Sequence, residues 1–136
     1  MTQEDKNLLL KDLCARLPYG VKMNHIADSE HSPKTLIGVA KDMITLEGLG
    51  GYECVDVEDY KPYLFPLSSI TIEQEKELSK LGVSYGEYAL HDDIRGLGIM
   101  VDEAYIFFEF CYKHHIDFLG LIEKDLAIDA TGLNIY

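Results

Sequence analysis

The chain has 136 residues, 47% of them hydrophobic and 26% charged, a composition that is typical of a globular domain and excludes an intrinsically disordered segment. Its 24 acidic residues outnumber its 12 basic residues and give a net charge of −12. Because proteins that bind nucleic acid or anionic membranes need clusters of lysine and arginine, we expect no direct contact with either.

The first predicted element is a helix that begins after Thr2. Thr2 is a suitable N-cap residue, and Asp5 stands where an acidic side chain completes a capping box. Pro18 and Gly20 predict the end of this helix. Its apolar residues recur at the spacing of one helical stripe, which predicts packing against the core: Leu9, Leu10, Leu13, Cys14 and Leu17.

Residues 21–57 predict four short strands. Alternating or apolar runs of strand length occupy residues 21–25, 35–40, 43–46 and 52–57. The connections between these runs are too short to hold a crossover helix. We therefore expect an antiparallel meander rather than a parallel sheet.

Two further helices are predicted in the second half of the chain. Thr71 and Gln74 form a second capping-box pair, and Gly82 is a suitable residue for the end of that helix. The next helix is predicted from Asp102 to His115. It has a broad apolar face, which we expect to pack against the first helix or the sheet: Ala104, Tyr105, Phe107, Phe108, Cys111 and Tyr112.

These elements predict a single α+β domain over residues 1–136. In this arrangement the N-terminal and C-terminal helices pack against a small antiparallel sheet of about four strands. A small SH3-like barrel with helical additions is the alternative.

The sequence also predicts a cytoplasmic protein. The first residues are polar and acidic, unlike a signal peptide, and no run approaches the ~20 apolar residues of a membrane span. The three cysteines are far apart, odd in number and set among apolar residues. We therefore expect Cys14, Cys54 and Cys111 to be reduced core residues rather than a disulfide framework.

No complete catalytic or metal-binding pattern is present, so we expect no cofactor and no tightly bound metal. The nearest approach to a metal cluster is His114 and His115 with Asp117. Adjacent helical residues point about 100° apart, and histidines near the end of a helix also complement its dipole. A polar cleft near His91 or His114 would nevertheless suit a small enzyme or a ligand-binding protein.

The stretch around Pro62 and Pro66 is the predicted interaction surface, with an extended but irregular backbone. Its aromatic residues are Tyr60, Tyr63 and Phe65. They could cover the sheet and fill the core. However, because side chains alternate along an extended backbone, at least one should remain exposed. That residue would lie at a dimer interface or a partner site.

Three stretches are distinctive, at residues 11–20 (KDLCARLPYG), 61–69 (KPYLFPLSS) and 120–127 (GLIEKDLA). Together they resemble a family of small uncharacterised proteins of gut bacteria and their phages, to which no activity is assigned. The family usually has Arg at the position of Phe65 and Gly at the position of Asp125. Because an arginine there implies a place where a charge can reach solvent, the resemblance implies that Phe65 is the aromatic residue that remains exposed. The resemblance implies an origin in a phage or mobile element, without implying any chemistry.

The functional prediction is therefore a non-enzymatic interaction or accessory module. Its partner would be another protein, and the acidity of the chain suits a partner with a basic surface. A homodimer is a second possibility. The competing class is the small enzyme or ligand-binding protein with a cleft near His91 or His114.

Overall fold

The computed structural model of this protein describes residues 1–82 and 101–136. Within these ranges the helices are α1 (Gln3–Arg16), α2 (Ile72–Lys80) and α3 (Val101–Lys113). The strands are β1 (Lys22–His25), β2 (Lys34–Val39), β3 (Met43–Gly48), β4 (Gly51–Asp56), β5 (Tyr60–Pro66), β6 (Ile116–Asp117) and β7 (Ile128–Asp129). His91, one of the two predicted cleft histidines, lies outside the described residues.

Local capping motifs start α1 and α2 as the sequence predicted. The Thr2 hydroxyl accepts from the Asp5 backbone N–H at 3.1 Å, and the Thr71 hydroxyl accepts from that of Gln74 at 3.2 Å. Both capping boxes are complete. Gly82 follows α2 with a φ of 90°, a conformation that glycine adopts without strain. These boundaries are confirmed because each depends on residues only a few positions apart.

The predicted antiparallel meander is also confirmed. Strands β1 to β4 pair in chain order, each antiparallel to the next. The order across the sheet is β4-β3-β2-β1-β5-β6, and β7 pairs with β5 as well. Leu36, Ile44 and Leu46 point from β2 and β3 into the core that α1 covers.

The proline-bracketed stretch is a regular strand, β5, rather than the irregular segment that the sequence predicted. It pairs antiparallel with β1, and Pro62 lies opposite Met23. Ile26 donates its N–H to the Asp59 carbonyl at 2.9 Å, three pairs further along. Antiparallel pairs alternate between bonded and non-bonded, so the Met23–Pro62 pair needs no hydrogen bond. Pro62 therefore enters the sheet without breaking the ladder towards β1.

The sheet is larger than predicted and mixed in direction. The α+β class is confirmed, but over residues 1–82 and 101–136 the sheet already has seven strands rather than about four. Both β6 and β7 run parallel to β5, with Ile116 opposite Phe65 and Ile128 opposite Tyr63. The extra strands have two residues each. So short a strand cannot show an alternating pattern in the sequence. Strands β6 and β7 form only through their long-range pairing with β5.

The core has two parts. One lies between α1 and the sheet, and the other joins α2, α3 and β6. Phe107 and Cys111 are fully buried in the second part, where they lie in one cluster with Leu78 and Ile116. Phe108, predicted to be buried with them, is only half-buried, and its ring stacks on that of Phe118 at 4.9 Å.

The buried face of α1 differs from the apolar stripe in the sequence. Leu9 and Leu13 are fully buried, and the same face holds Asp12 and Arg16. Cys14 is exposed, as is Cys54 on β4, so the prediction of three core cysteines is correct only for Cys111. An apolar stripe identified from hydrophobicity leaves out charged residues such as this pair. The predicted buried face of α1 is therefore displaced by about one residue.

Arg16 joins the two parts of the core. Its Nε donates to Oδ2 of Asp12 at 2.7 Å, one helical turn earlier. Its Nη2 donates to the Ile116 carbonyl at 2.8 Å, and its Nη1 donates to that of Cys111 at 3.4 Å. Both side chains are inaccessible to solvent. Arg16 therefore fixes α1 against the end of α3 and the start of β6.

Candidate functional site

A cleft of about 310 Å³ lies where β5, α2, α3 and the C-terminal tail meet. We call it the Phe65 cleft. Its walls come from residues far apart in the chain: Phe65, Thr71, Gln74, His114, Thr131 and Gly132. Phe65 and His114, which the sequence suggested for two different functions, therefore line the same site.

Phe65 is held firmly at the end of β5. Its backbone N–H donates to the His115 carbonyl at 2.8 Å, and it lies opposite Ile116 in the ladder. Its ring centroid is 6.0 Å from that of Tyr136. The side chain is half-buried. A half-buried ring on a fixed backbone offers apolar contact area with little loss of conformational entropy on binding.

The wall formed by the start of α2 is rigid because it is built from local hydrogen bonds. The Ser69 hydroxyl donates to the Pro66 carbonyl at 2.6 Å. The Thr71 N–H donates to Oε1 of Gln74 at 2.9 Å, as part of the capping box. This wall is polar, whereas Phe65 and Ile116 contribute apolar surface.

His114 contributes the ionisable group of the cleft. Its Nε2 lies 3.1 Å from Oε2 of Glu77, on α2. Its ring packs against Phe110, with 4.5 Å between centroids. The pair places hydrogen-bonding groups where a bound ligand can reach them. The only buried thiol in the described part of the chain, that of Cys111, has its pKa raised to about 12 by burial, which keeps it protonated and unreactive.

The three residues that come nearest to a metal-binding pattern in the sequence point in three directions. His114 contacts Glu77, whereas His115 stacks on Tyr136 with ring centroids 3.7 Å apart. Asp117 accepts from the backbone N–H groups of Leu121 and Ile122 at 3.0 and 2.9 Å. Over residues 1–82 and 101–136, no group of three or more His, Cys, Asp or Glu side chains is placed to hold a metal ion.

His115 lies behind the cleft in an unusual environment. Its backbone is left-handed, with a φ of 60°, and its Nδ1 is buried without a hydrogen-bond partner among the described residues. Burial lowers the pKa of His115 to about 4, and the nearby charges of Arg16, His114 and Lys22 act in the same direction. The imidazole is therefore neutral at physiological pH.

The neutral state of His115 predicts a loss of stability in mild acid. The unfolded chain takes up this proton near the ordinary pKa of 6.5, whereas the folded chain does so only near 4. Between these values the unfolded state binds more protons, so stability falls as the pH falls. We expect about 1–2 kcal/mol to be lost between pH 7 and pH 4.5, allowing for the partial exposure of the ring.

Urea unfolding of the parent and His115→Asn at both pH values measures this effect. Asparagine tolerates left-handed backbone and does not titrate, so the variant should lose less stability in acid. His31→Asn is the matched control, because His31 also has a left-handed φ of 56° but leaves His115 in place. Equal acid losses in the parent and His115→Asn would contradict the prediction.

Tyr60 and Tyr63 lie in the core, which corrects their assignment to an interaction surface. They are 5% and 0% exposed. The Tyr63 hydroxyl is 2.6 Å from Nδ1 of His31, and the Tyr60 ring meets that of His25 edge-on at 5.1 Å. Their rings are buried because β5 lies inside the sheet rather than over it. Of the three predicted residues, Phe65 keeps access to solvent.

The C-terminal tail contributes to the site in a way that sequence reasoning missed. The Tyr136 hydroxyl donates to the Tyr63 carbonyl at 2.8 Å and accepts from the Lys22 N–H at 2.9 Å. This aromatic residue fastens the tail across β1 and β5, so that Thr131 and Gly132 form one side of the cleft. The one available signal in the sequence was the tyrosine itself. No neighbouring residue indicated which groups it would contact.

Comparisons with protein-family models, with curated proteins and with solved structures gave no match. Among the described residues, no helix is both long and apolar enough to cross a membrane. The chemistry of the cleft is therefore the basis for a functional proposal.

Proposed function

We propose that this protein is a non-enzymatic interaction module that holds part of a protein partner in the Phe65 cleft. The observation that carries the proposal is the position of Phe65, half-buried on a rigid strand and facing a cleft with one polar wall. A volume of about 310 Å³ is at the lower end of the range of ligand pockets and is large enough for one or two side chains of a docked segment.

The charge of the chain supports a partner with a basic surface. A net charge of −12 attracts such a partner over distances beyond direct contact and raises its association rate. The same charge repels nucleic acid and anionic membranes. No cofactor is needed for this role. We also propose that the protein acts in the cytoplasm and originates from a phage or mobile element.

The pairing of strands supports an SH3-like barrel as the centre of the fold. We propose that β1 to β5 form this barrel, with α1, α2 and α3 added to it. In support, β1 pairs antiparallel with both β2 and β5, and a single 3₁₀ turn, Val57–Asp59, links β4 to β5. Small barrels of this kind serve many functions, so the fold alone does not select one.

A small-molecule site is the second candidate, supported by the contact between His114 and Glu77 at 3.1 Å. A histidine in contact with a carboxylate, beside an apolar ring, would suit a polar metabolite or the site of a small enzyme. The two candidates differ in what they predict for purification. A partner module should bring a second protein with it, whereas a metabolite site should not.

Phe65→Arg tests the proposed interaction. Because Phe65 is half-buried beside a cleft, an arginine can extend to solvent, and the fold should stay intact. We expect capture of the partner, or self-association, to fall by about tenfold or more, which corresponds to about 1.4 kcal/mol. The measurement is affinity purification of the tagged protein from its native host at normal expression, with quantitative mass spectrometry, and sedimentation velocity for self-association.

Ile26→Arg is the matched control, since it adds the same charge to an apolar residue that is 56% exposed and outside the cleft. It should capture what the parent captures. If Phe65→Arg retains every partner and the parental sedimentation, the interaction proposal fails. A variant that unfolds would show instead that Phe65 belongs to the core.

A further inference from the structure

Helix α3 carries a second aromatic stripe at the margin of the core, where Phe108 packs against the core cluster from one side. Among its described side chains, from residue 104 onwards, the helix buries Phe107, Phe110 and Cys111. Tyr105, Phe108 and Tyr112 follow one another at spacings of three and four residues and therefore share a different face. Tyr105 is 69% exposed, and the other two are half-buried. The broad apolar face seen in the sequence thus separates into a core stripe and a surface stripe.

The surface stripe forms one wall of a groove of about 360 Å³, which we call the aromatic groove. The other wall is the end of α1 and the 3₁₀ turn that follows it, and it includes Ala15, Pro18 and Tyr19. The Tyr19 hydroxyl donates to Oε1 of Glu109 at 3.3 Å, which links the two walls. This groove lies outside the Phe65 cleft and shares no lining residue with it.

The rings of the groove are held in place by further aromatic contacts. Phe108 stacks on Phe118 at 4.9 Å, and Tyr112 meets Phe118 edge-on at 5.3 Å. The Arg16 guanidinium lies 5.2 Å from the centre of the Tyr112 ring. This protein therefore already places one arginine against the ring system that forms the groove.

The charge at the groove is negative. Glu109 is exposed at its rim, and over residues 1–82 and 101–136 no lysine or arginine forms an ion pair with it. The groove lining within those ranges includes a carboxylate and no basic residue. Faces of aromatic rings and a carboxylate both attract cations, and a guanidinium can also stack flat on a ring.

We propose that the aromatic groove binds an arginine side chain of a protein partner. Its guanidinium would lie against Tyr105 and Phe108 and donate hydrogen bonds to Glu109. The inference does not depend on the Phe65 cleft, because no side chain is common to the two sites. It would give this acidic protein a specific contact for a basic surface, beyond attraction by its overall charge.

The test uses fluorescein-labelled hexa-arginine, with hexa-citrulline as its neutral isostere, in fluorescence anisotropy titrations at physiological salt. The parent should bind hexa-arginine and not hexa-citrulline. Tyr105→Leu removes the exposed ring without changing the charge or a core contact, and it should raise the Kd about fivefold. Tyr52→Leu is the matched control, because Tyr52 is 73% exposed on β4, away from the groove. The Kd of this variant for hexa-arginine should equal that of the parent.

A second pair of variants tests the carboxylate. Glu109→Gln should weaken binding of hexa-arginine, whereas Glu47→Gln, which removes the same charge from β3, should weaken it less. The proposal is overturned if the parent does not bind hexa-arginine or binds hexa-citrulline equally well. It is also overturned if Tyr105→Leu and Tyr52→Leu have the same Kd, because attraction by the net charge alone would then account for the binding.

Discussion

Replacing Arg16 with methionine is expected to lower the free energy of unfolding by about 3–5 kcal/mol, the range for breaking one side of a buried ion pair. The substitution keeps much of the side-chain volume but leaves the Asp12 carboxylate buried without its counter-charge. It also leaves two backbone carbonyls, those of Cys111 and Ile116, without their donor. Each unsatisfied buried group adds its own desolvation penalty.

Chemical denaturation with circular dichroism measures the loss, and Lys11→Met serves as the control. Lys11 is on the same helix but exposed, so its replacement should change stability by no more than about 0.5 kcal/mol. The double variant Asp12→Leu with Arg16→Met should be more stable than Arg16→Met alone, since it removes the orphaned charge. Equal stability of Arg16→Met and the parent would refute the joining role of Arg16.

Phe107→Ala is the second substitution with a large expected effect, about 3–5 kcal/mol, as for other large aromatic truncations in cores. Phe107 is inaccessible to solvent and lies in the core cluster that α2 and β6 form around α3. Its removal would leave a cavity that three elements would have to collapse around. Because that cluster contains the end of α3, which His114 follows, the loss of packing should also disturb the position of His114 in the Phe65 cleft.

Phe108→Ala is the matched comparison, one position along the same helix. Its ring is half-buried, so its loss should cost about 1–2 kcal/mol, less than the loss of the fully buried Phe107 ring. Thermal and urea unfolding of both variants measure the difference. If Phe108→Ala proves as destabilising as Phe107→Ala, the division of α3 into a core stripe and a surface stripe is wrong.

The local parts of the fold were predictable because their causes lie within a few residues. The caps at Thr2 and Thr71 follow from hydroxyl and carboxylate or amide groups three positions apart. The meander follows from strand-length runs separated by short turns.

The site was predictable only in fragments. Phe65 stood out as an aromatic residue in an extended stretch between two prolines, and His114 stood out as a histidine at the end of a helix. Nothing in the sequence indicated that the two face one cleft. Their proximity depends on β6 pairing with the end of β5, which places residues 65 and 116 side by side. A contact between residues so far apart in the chain produces no periodic pattern in the sequence.

The sequence by itself determined the α+β class, the helix starts, the antiparallel meander and the acidic surface, because composition, capping and short-range alternation specify them. The tertiary structure decided which groups are buried. It placed a charged pair, Asp12 and Arg16, inside and two cysteines outside, and it turned a proline-bracketed stretch into the strand that β1, β6 and β7 share. Burial of a charge depends on partners supplied by distant residues, here the carbonyls of Cys111 and Ile116, and such partners exist only in the folded chain.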